Sequence, residues 1–598
     1  MPINKHWILL VFVLSIGVGL SALPDQAPAP TGDPPSRSWK RVRSRSFTAV
    51  GDASVEDLRD VLRELEAHRL ARLGLTPWLA SPREAGVTAV FFDRRTDLAA
   101  VGPLDALNRP QSVDRSFLLG DDSQSFFMVS QPIAGLRGSH FEPALAGYTA
   151  LLVNGLLPQA PDWLREGLRI FLSTFVPRVP SADRYVGGPP LVLGPQVDQL
   201  RMLPLERVFA SAGLQGSDTE RTAFVVTAWR LVHYLVLGPP ARVGQMPVYI
   251  ERLRAGLPPG EAFTAAFNTP LGTLDVELAR YNHAAAWEAS RAELDRAVGS
   301  AAAEPLKESE VAALRGQLLV LAGRSRDAVP RLDEALAKNP GSVDARVAKA
   351  SVLGLRGRDM EALSLLDGLL CSDASAVKVC LAMGQTLLAL GRYPEAFTHF
   401  ERATALSPRS LAAWIGLSVT ALATGRSAVV ERAAATADQL APRGYWSYRR
   451  AITLVRVPEM EAEIVREAQR DVAREGWEAA AYSVFLASLA HRRVGQDAEA
   501  NALLGELIPH LPRDSWPLRV ARFLRGLLPA KDFLSGAKDD GQRTEAHAYI
   551  GLVASGKQDL EVAMPHLQWV IDHDLQSFTE YSIVLNELRR LGLAPKNP

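Results

Sequence analysis

GQTLLALGRYPEAFTHF, residues 384–400, is the clearest copy of a unit that recurs along the second half of this 598-residue chain. The phase of the unit is set by a glycine that returns every 34 residues, at Gly323, Gly357, Gly391 and Gly425. An alanine follows five positions later in three copies, at Ala328, Ala362 and Ala396. A proline closes the unit at Pro340, Pro408 and Pro442.

These residue types have a structural reason at these positions. A small residue lets two antiparallel helices approach closely, glycine turns the chain between them, and proline stops the second helix. A period of 34 residues is that of the tetratricopeptide repeat. We therefore predict an all-α tetratricopeptide solenoid over residues 288–598, with roughly seven or eight units. A looser unit covers 445–477, and SFTEYSIVLNELRRLG, residues 577–592, is predicted to be a capping helix.

A solenoid of this kind presents a concave face to extended or helical segments of a partner protein. A basic stretch on the early inner helices would suit an acidic ligand, with ordinary solvated charges as the alternative; it consists of Arg346, Lys349, Arg356 and Lys378. Overall the 66 basic and 66 acidic side chains cancel. Proteins or peptides are therefore the expected partners, and nucleic acid is not.

The amino terminus has the layout of an export signal. Residues 1–22 carry Lys5 and His6, then an apolar run, then the small residues Ser21-Ala22. We expect cleavage near Ala22 and a periplasmic or secreted protein. An uncleaved anchor is the alternative, because the apolar run of about 17 residues is at the lower limit for spanning a bilayer. Residues 23–38 are rich in proline and predict a linker without a core of its own.

Residues 39–287 predict an α+β domain. Alternating or apolar runs indicate a first strand after Trp39 and further strands at 86–93 and 125–131, which together would form a small mixed sheet. Helical periodicity predicts the remaining elements, at 55–73 with Ser54 as its cap, 142–154, 162–175 and 222–237, with two or three more helices within 260–287.

Three segments carry a resemblance to a known family: WKRVRSRSFTAV at 39–50, PDWLREGLRIF at 161–171 and TAWRLVHYLVL at 227–237. In this order they resemble the peptidase-MA-like, gluzincin-type domains that precede tetratricopeptide repeats in exported bacterial proteins. The resemblance implies that Glu166 holds the place of the third zinc ligand, and that the preceding helix should carry His-Glu-x-x-His.

The positions that match His-Glu-x-x-His depart from it wherever chemistry is done. They read Ala146-Gly147-Tyr148-Thr149-Ala150. Two imidazoles one helical turn apart hold the zinc ion and the glutamate acts as general base, so Ala146, Gly147 and Ala150 remove all three groups. We predict a degenerate domain with no catalytic residue, cofactor or metal, in which Glu166 is a vestigial ligand position.

The alternative is a working hydrolase, metal-dependent or of another type, with a relocated site around Glu166. His140 and His233 could complete such a site, although a polar residue at a helix start and an interior histidine bonded to backbone are the commoner roles for them. The sequence has no Gly-x-Ser-x-Gly elbow and no phosphate-binding loop.

The end of the chain points to a scaffold. Trp516-Pro517, FLRG at 523–526 and Glu580-Tyr581 are similar to exported tetratricopeptide adaptor lipoproteins. The preferred hypothesis is therefore a non-catalytic exported scaffold that mediates protein–protein interactions. The two cysteines, Cys371 and Cys380, are expected to be unpaired thiols, with a disulfide as the alternative.

Overall fold

The computed structural model describes residues 38–79, 87–103, 116–120, 125–130, 142–177, 184–188, 201–211, 214, 217–281, 287–289, 291–299, 302–369, 376–440, 446–573, 575 and 578–593. The predicted signal peptide, nearly all of the predicted linker, His140 and Cys371 lie outside these residues. The described chain divides into two compact units, an amino-terminal one that ends at Val311 and a carboxy-terminal one that begins at Ala312. The domain limits drawn from the sequence stay predictions.

A mixed sheet organises the amino-terminal unit. Its strands are β1 (Lys40–Arg43), β2 (Thr48–Gly51), β3 (Val87–Phe92), β4 (Ser116–Gly120), β5 (Ser125–Ser130) and β9 (Glu304–Pro305), in the order β4-β5-β3-β2-β1-β9. The β2–β3 and β3–β5 pairs are parallel and the other pairs are antiparallel. A second sheet joins β6 (Phe175–Pro177), β7 (Arg184–Val186) and β8 (Trp287–Ala289). The predicted small mixed sheet is confirmed.

The sequence missed part of this sheet. The single strand expected after Trp39 is a hairpin of β1 and β2, because the polar residues between them turn the chain. Strand β4 was not predicted, although it pairs with β5 along its whole length. Strand β9 contains two residues, too few for any periodicity to show.

Helices cover the larger sheet and extend the amino-terminal unit. They are α1 (Val55–Leu75), α2 (Arg95–Ala100), α3 (Glu142–Leu156), α4 (Asp162–Ser173), α5 (Leu205–Phe209), α6 (Asp218–Leu237), α7 (Pro240–Val243), α8 (Gln245–Arg254), α9 (Pro259–Phe267), α10 (Leu271–Arg280) and α11 (Arg291–Val298). Ser54 caps α1 as predicted. Helix α6 begins one turn before the predicted start, because Ser217 and Glu220 form a capping box there.

The carboxy-terminal unit is built from helix pairs. They are α12 (Glu308–Leu321) with α13 (Ser325–Lys338), α14 (Val343–Leu355) with α15 (Asp359–Leu366), α16 (Ala376–Ala389) with α17 (Tyr393–Leu406), α18 (Leu411–Ala423) with α19 (Ser427–Leu440), α20 (Trp446–Leu454) with α21 (Glu461–Glu475), α22 (Ala481–Arg493) with α23 (Asp497–Leu507), α24 (Trp516–Leu524) with α25 (Ala530–Ser535), and α26 (Asp540–Gly556) with α27 (Leu560–His573). A last helix, α28 (Thr579–Arg590), follows.

The turn inside each pair explains the glycine period. Gly323, Gly357, Gly391 and Gly425 all have φ between 71° and 75°, a left-handed conformation that glycine adopts without a steric penalty. Two pairs place another residue there. Glu459, five positions before the buried Ile464, has φ 62°, and Gln558, five before Ala563, has φ 61°. These substitutions interrupt the glycine period in the fifth and the eighth pair.

Close packing inside and between pairs depends on small residues. A Cβ atom added at Gly384 of α16 would lie 2.9 Å from the ring of Phe400 on α17, and one at Gly416 of α18 only 2.4 Å from it. The buried Phe400 therefore joins two successive pairs. The first helices α14, α16, α18, α20, α22, α24 and α26 contact one another in turn, and we call this set the inner layer.

Cys380 corrects one prediction. It is fully buried on α16 and disulfide-bonded, rather than a free thiol. The chain has one other cysteine, Cys371, which falls outside the described residues. Among the described helices, none combines the length and the apolar character that a bilayer crossing requires.

Candidate functional site

Helix α3 carries the segment where the family resemblance would place zinc chemistry. Ala146, Tyr148 and Thr149 are buried, and Ala150 is half-buried. Ala146 and Ala150 offer a metal no donor atom, and Gly147 has no side chain to serve as a base. The residues present at these positions therefore do not fit the zinc ion that the resemblance implies.

Gly147 is also constrained by packing. A Cβ atom at this position would lie 3.1 Å from Cβ of Leu118 on β4. That distance is shorter than an ordinary van der Waals contact, so a glutamate would require α3 and β4 to move apart. The close approach of helix to sheet occupies the space that a general base would need.

The middle of the segment is tied to α1. His68, fully buried on α1, lies 2.9 Å from Thr149 Oγ1 through its Nε2 atom, and its ring packs on Tyr148 with centroids 5.2 Å apart. Burial, followed by the charge of Arg72, lowers the pKa of His68 to about 3, so the imidazole is neutral at physiological pH. The sequence analysis missed His68; its place on the apolar face of α1 was the available signal.

Helix α4 presents Glu166 to a cation of its own helix. The Glu166 carboxylate accepts from Arg169 at 2.8 Å from Nε and 2.7 Å from Nη2, and the Arg169 side chain is only 6% exposed. This two-pronged pair uses one carboxylate oxygen and neutralises the guanidinium inside the protein. The contact gives Glu166 a structural role, while its history as a ligand position stays a prediction.

Gly167, next to Glu166, is where α4 meets α6. A Cβ atom there would lie 2.5 Å from the carbonyl oxygen of Ala228 and 2.5 Å from a methyl group of Val232. One of these atoms is backbone and cannot rotate away. The glycine of the Trp-Leu-x-Glu-Gly segment therefore has a packing reason that is independent of catalysis.

We expect Gly167→Ala to destabilise the amino-terminal unit by about 1–3 kcal/mol, because the added methyl group forces two helices apart. The matched control is Gly260→Ala in α9, where an added Cβ meets nothing within 4 Å. That change should stabilise by about 0.5–1 kcal/mol through helix propensity. Urea unfolding followed by circular dichroism measures both variants, and equal stabilities would contradict the close packing.

The two histidines of the alternative site have different outcomes. His140 lies outside the described residues. His233 is fully buried on α6, with Nδ1 2.9 Å from the hydroxyl of Tyr281 and its ring edge-on to Phe171. The expected interior role holds, but this bond is to a side chain rather than to backbone. Burial, with a smaller contribution from Tyr234, raises the pKa of Tyr281 to about 12.

In the described parts of the chain, no three or more His, Cys, Asp and Glu side chains are grouped so that they could hold a metal ion.

Two of the four cations in the predicted basic stretch are paired with acids of the same unit. Lys349 pairs with Asp333 at 2.5 Å, and Lys378 pairs with Asp344. Arg346 donates to the carbonyl oxygens of Leu365 and Asp367. These contacts favour solvated, structurally engaged charges over a recognition surface for an acidic ligand.

A pair of buried carboxyl groups lies deeper in the carboxy-terminal unit. Glu545 of α26 accepts hydrogen bonds from Trp516 Nε1 at 3.0 Å and from the Tyr482 hydroxyl at 3.1 Å. Glu580 of α28 accepts from the Tyr549 hydroxyl at 3.3 Å. Burial raises the pKa of Glu580 to about 7, and burial together with the neighbouring Glu580 raises that of Glu545.

This pair predicts a pH dependence. The folded pKa of Glu580 lies above its ordinary value of 4.5, so its contribution to stability is complete below pH 4.5 and is lost as the pH rises through about 7. We expect the urea midpoint of the carboxy-terminal unit to fall with pH across this window, and Glu580→Gln to flatten that fall. Glu561→Gln, on the exposed side of α27, is the matched control. Parallel pH profiles for all three proteins would contradict the assignment.

A comparison with known protein families supports the repeats. Residues 377–420, which span α16, α17 and most of α18, match the tetratricopeptide repeat family. The chain therefore contains tetratricopeptide repeats, as predicted. No curated protein matches the chain. Among solved structures, the crystal structure of APC/C hetero-tetramer Cut9-Hcn1 is similar at 13% identity over 76% of this chain and 84% of that chain, with a TM-score of 0.24.

Proposed function

We propose that this chain, which carries tetratricopeptide repeats at its carboxy-terminal end, is a non-catalytic exported scaffold that binds partner proteins. The repeats carry the proposal, because stacked helix pairs build extended surfaces for protein segments rather than reaction centres. In this view the amino-terminal unit is a degenerate peptidase-MA-like domain that keeps a shape and has lost its zinc chemistry.

The contacts of α3 and α4 support the loss of catalysis. Gly147 packs against Leu118, Thr149 is held by His68, and Glu166 is held by Arg169. Ala146, Gly147 and Ala150 thus lack the donor groups that would hold zinc or act as a base, and Glu166 is already paired with Arg169. A shape maintained in this way serves as a spacer or a second binding surface.

Export is supported by two observations. Residues 1–22 have the composition of a secretion signal. Cys380 is disulfide-bonded, and disulfides form and persist in oxidising compartments. Both are expected of a protein that works outside the cytoplasmic membrane, either free or anchored by its amino-terminal apolar segment.

Metal content and peptidase activity test this proposal against the rival hydrolase with a site around Glu166. We expect the purified full chain to contain less than about 0.1 zinc per molecule, well below the one ion that a catalytic site requires. We also expect no cleavage of a peptide library by the full chain. Glu166→Ala is compared with Asp162→Ala, an exposed acid on the same helix. Stoichiometric zinc that only Glu166→Ala removes would overturn the non-catalytic assignment.

A further inference from the structure

Helix α28 is buried on all sides. Eight of its twelve residues are buried, namely Glu580, Tyr581, Ile583, Val584, Leu585, Asn586, Glu587 and Leu588. A helix that only caps a solenoid buries one face and leaves the other in water. Helix α28 therefore does more than shield the end of the array.

The contacts of α28 reach far beyond the neighbouring pair. It packs on α26 and α27, as a cap would, and also on α20. The Tyr581 hydroxyl donates to the carbonyl oxygen of Leu355 at 3.1 Å, at the end of α14. The Arg589 guanidinium donates to Gly354 O at 2.8 Å and to both carboxylate oxygens of Asp359 at 2.8 and 2.9 Å. Units of a solenoid normally contact only their neighbours, so α28 lies across the inner layer.

The interface between α28 and the inner layer is specific as well as apolar. Glu587 accepts from Arg493 of α22 at 2.9 Å and from Ser555 of α26 at 2.5 Å. With Arg589 on Asp359 two residues later, the carboxy-terminal end of the helix carries an anion and a cation, and each meets an opposite charge. Such buried, paired charges fix the register of a bound helix more than they add stability.

The groove around α28 is not completely filled. A cavity of about 410 Å³ lies beside the helix. Ile583 and Glu587 of α28 form one wall, and the inner-layer residues Leu486, Leu489, Leu552 and Val553 form the others. The cavity opens to solvent at Gly495, Asp497 and Lys557, and its volume is in the range of ligand sites. The groove is therefore wider than the helix that occupies it.

We propose that the inner-layer groove is a binding site for an amphipathic helix of a partner protein, and that α28 is an internal occupant which the partner helix replaces. The partner helix would carry a carboxylate to meet Arg493 and Ser555, a cation one half-turn later to meet Asp359, and a side chain larger than isoleucine to fill the cavity. This inference rests on the proposed function of the chain as a scaffold and names the class of partner.

Hydrogen exchange on the full chain gives the first test. If α28 is replaceable, the amides of residues 579–590 exchange at least 10-fold faster than those of α22 and α26, because α28 opens without the rest of the unit. Exchange of α28 at the same rate as α22 and α26 would show a permanent core helix and overturn the proposal.

Peptide binding gives the second test. The probe is a fluorescein-labelled peptide with the sequence of residues 578–591. The full chain with Arg589→Ala, which frees the groove end at Asp359, should bind it at least 10-fold tighter than the wild type. The matched control Arg590→Ala removes a neighbouring cation that pairs within α28 to Glu587 and should bind as the wild type does.

Two changed peptides refine the second test. A probe with Ile583→Phe should bind Arg589→Ala several-fold tighter, and one with Glu587→Lys should not bind it. Equal binding of the unchanged probe by both arginine variants overturns the proposal. If Arg589→Ala does not fold, the exchange rates of α28 in the wild-type protein decide whether the helix is replaceable. If this proposal fails, the non-catalytic assignment still stands, because zinc content and peptidase activity test it separately.

Discussion

Replacement of Arg450 by methionine is expected to destabilise the carboxy-terminal unit by about 3–5 kcal/mol, because it leaves a buried carboxylate without its main cation. Arg450 of α20 is fully buried and donates to Glu463 at 3.0 Å, to Glu467, and to Ser418 Oγ at 3.0 Å. Glu467 is also fully buried. Its remaining partner, Arg470, is half-exposed and lies at the surface end of the carboxylate.

Two further variants isolate the buried charge. Arg470→Met acts on the solvent side of the same carboxylate and should cost less than about 1 kcal/mol. The double variant Arg450→Met with Glu467→Leu removes both buried charges and should recover most of the loss. Urea unfolding gives the stabilities, and hydrogen exchange of α20, α21 and α22 locates the change. If Arg450→Met alone were as stable as the double variant, the pair of Arg450 and Glu467 would not be buried as described.

Replacement of Trp163 by alanine is expected to cost the amino-terminal unit about 3–5 kcal/mol. Trp163 of α4 is 1% exposed. Its ring stacks on Phe209 at 5.3 Å and on Tyr249 at 5.9 Å, and meets Phe263 edge-on at 6.2 Å. Deleting the indole removes a large apolar surface and leaves a cavity that three other rings cannot fill by small movements.

The matched control for Trp163→Ala is Trp78→Ala. Trp78 is only partly buried at the edge of the same core, so its loss should cost about 1–2 kcal/mol. Thermal unfolding and urea unfolding measure both variants. A loss below about 1 kcal/mol for Trp163→Ala would mean that the segment PDWLREGLRIF faces an open cleft, where stability is insensitive to the side chain.

The repeats could be predicted from the sequence where the residues that form the turn lie within one repeat. Gly391, Ala396 and Phe400 together predict a helix pair, and Gly391 has the positive φ that the turn requires. The fifth pair escaped this logic because Glu459 replaces the glycine and the ion pairs of Arg450 replace the contact between small residues. Its cohesion comes from residues 13 and 17 positions apart, which no fixed spacing marks.

Contacts between distant parts of the chain could not be predicted. The strand after Trp39 and the helices α3, α4 and α6 have strong apolar patterns and were predicted. The hydrogen bond between His68 and Thr149, in contrast, joins residues 81 positions apart. Helix α28 was predicted correctly as a helix, whereas its bonds to Asp359 cross 230 positions. Periodicity reports which face of a helix is buried, and it does not report which neighbour buries it.

The contacts between the two ends of the repeat array have a mechanical consequence. Arg326 of α13 donates to the carbonyl oxygen of Asp572 on α27, and Arg589 of α28 holds Asp359 of α15. An open solenoid frays from its termini, since each terminal unit has one neighbour instead of two. Here the terminal units support each other through these contacts, so release of α28 should expose both ends of the array to fraying, and a truncation after residue 578 should loosen the first pairs as much as the last.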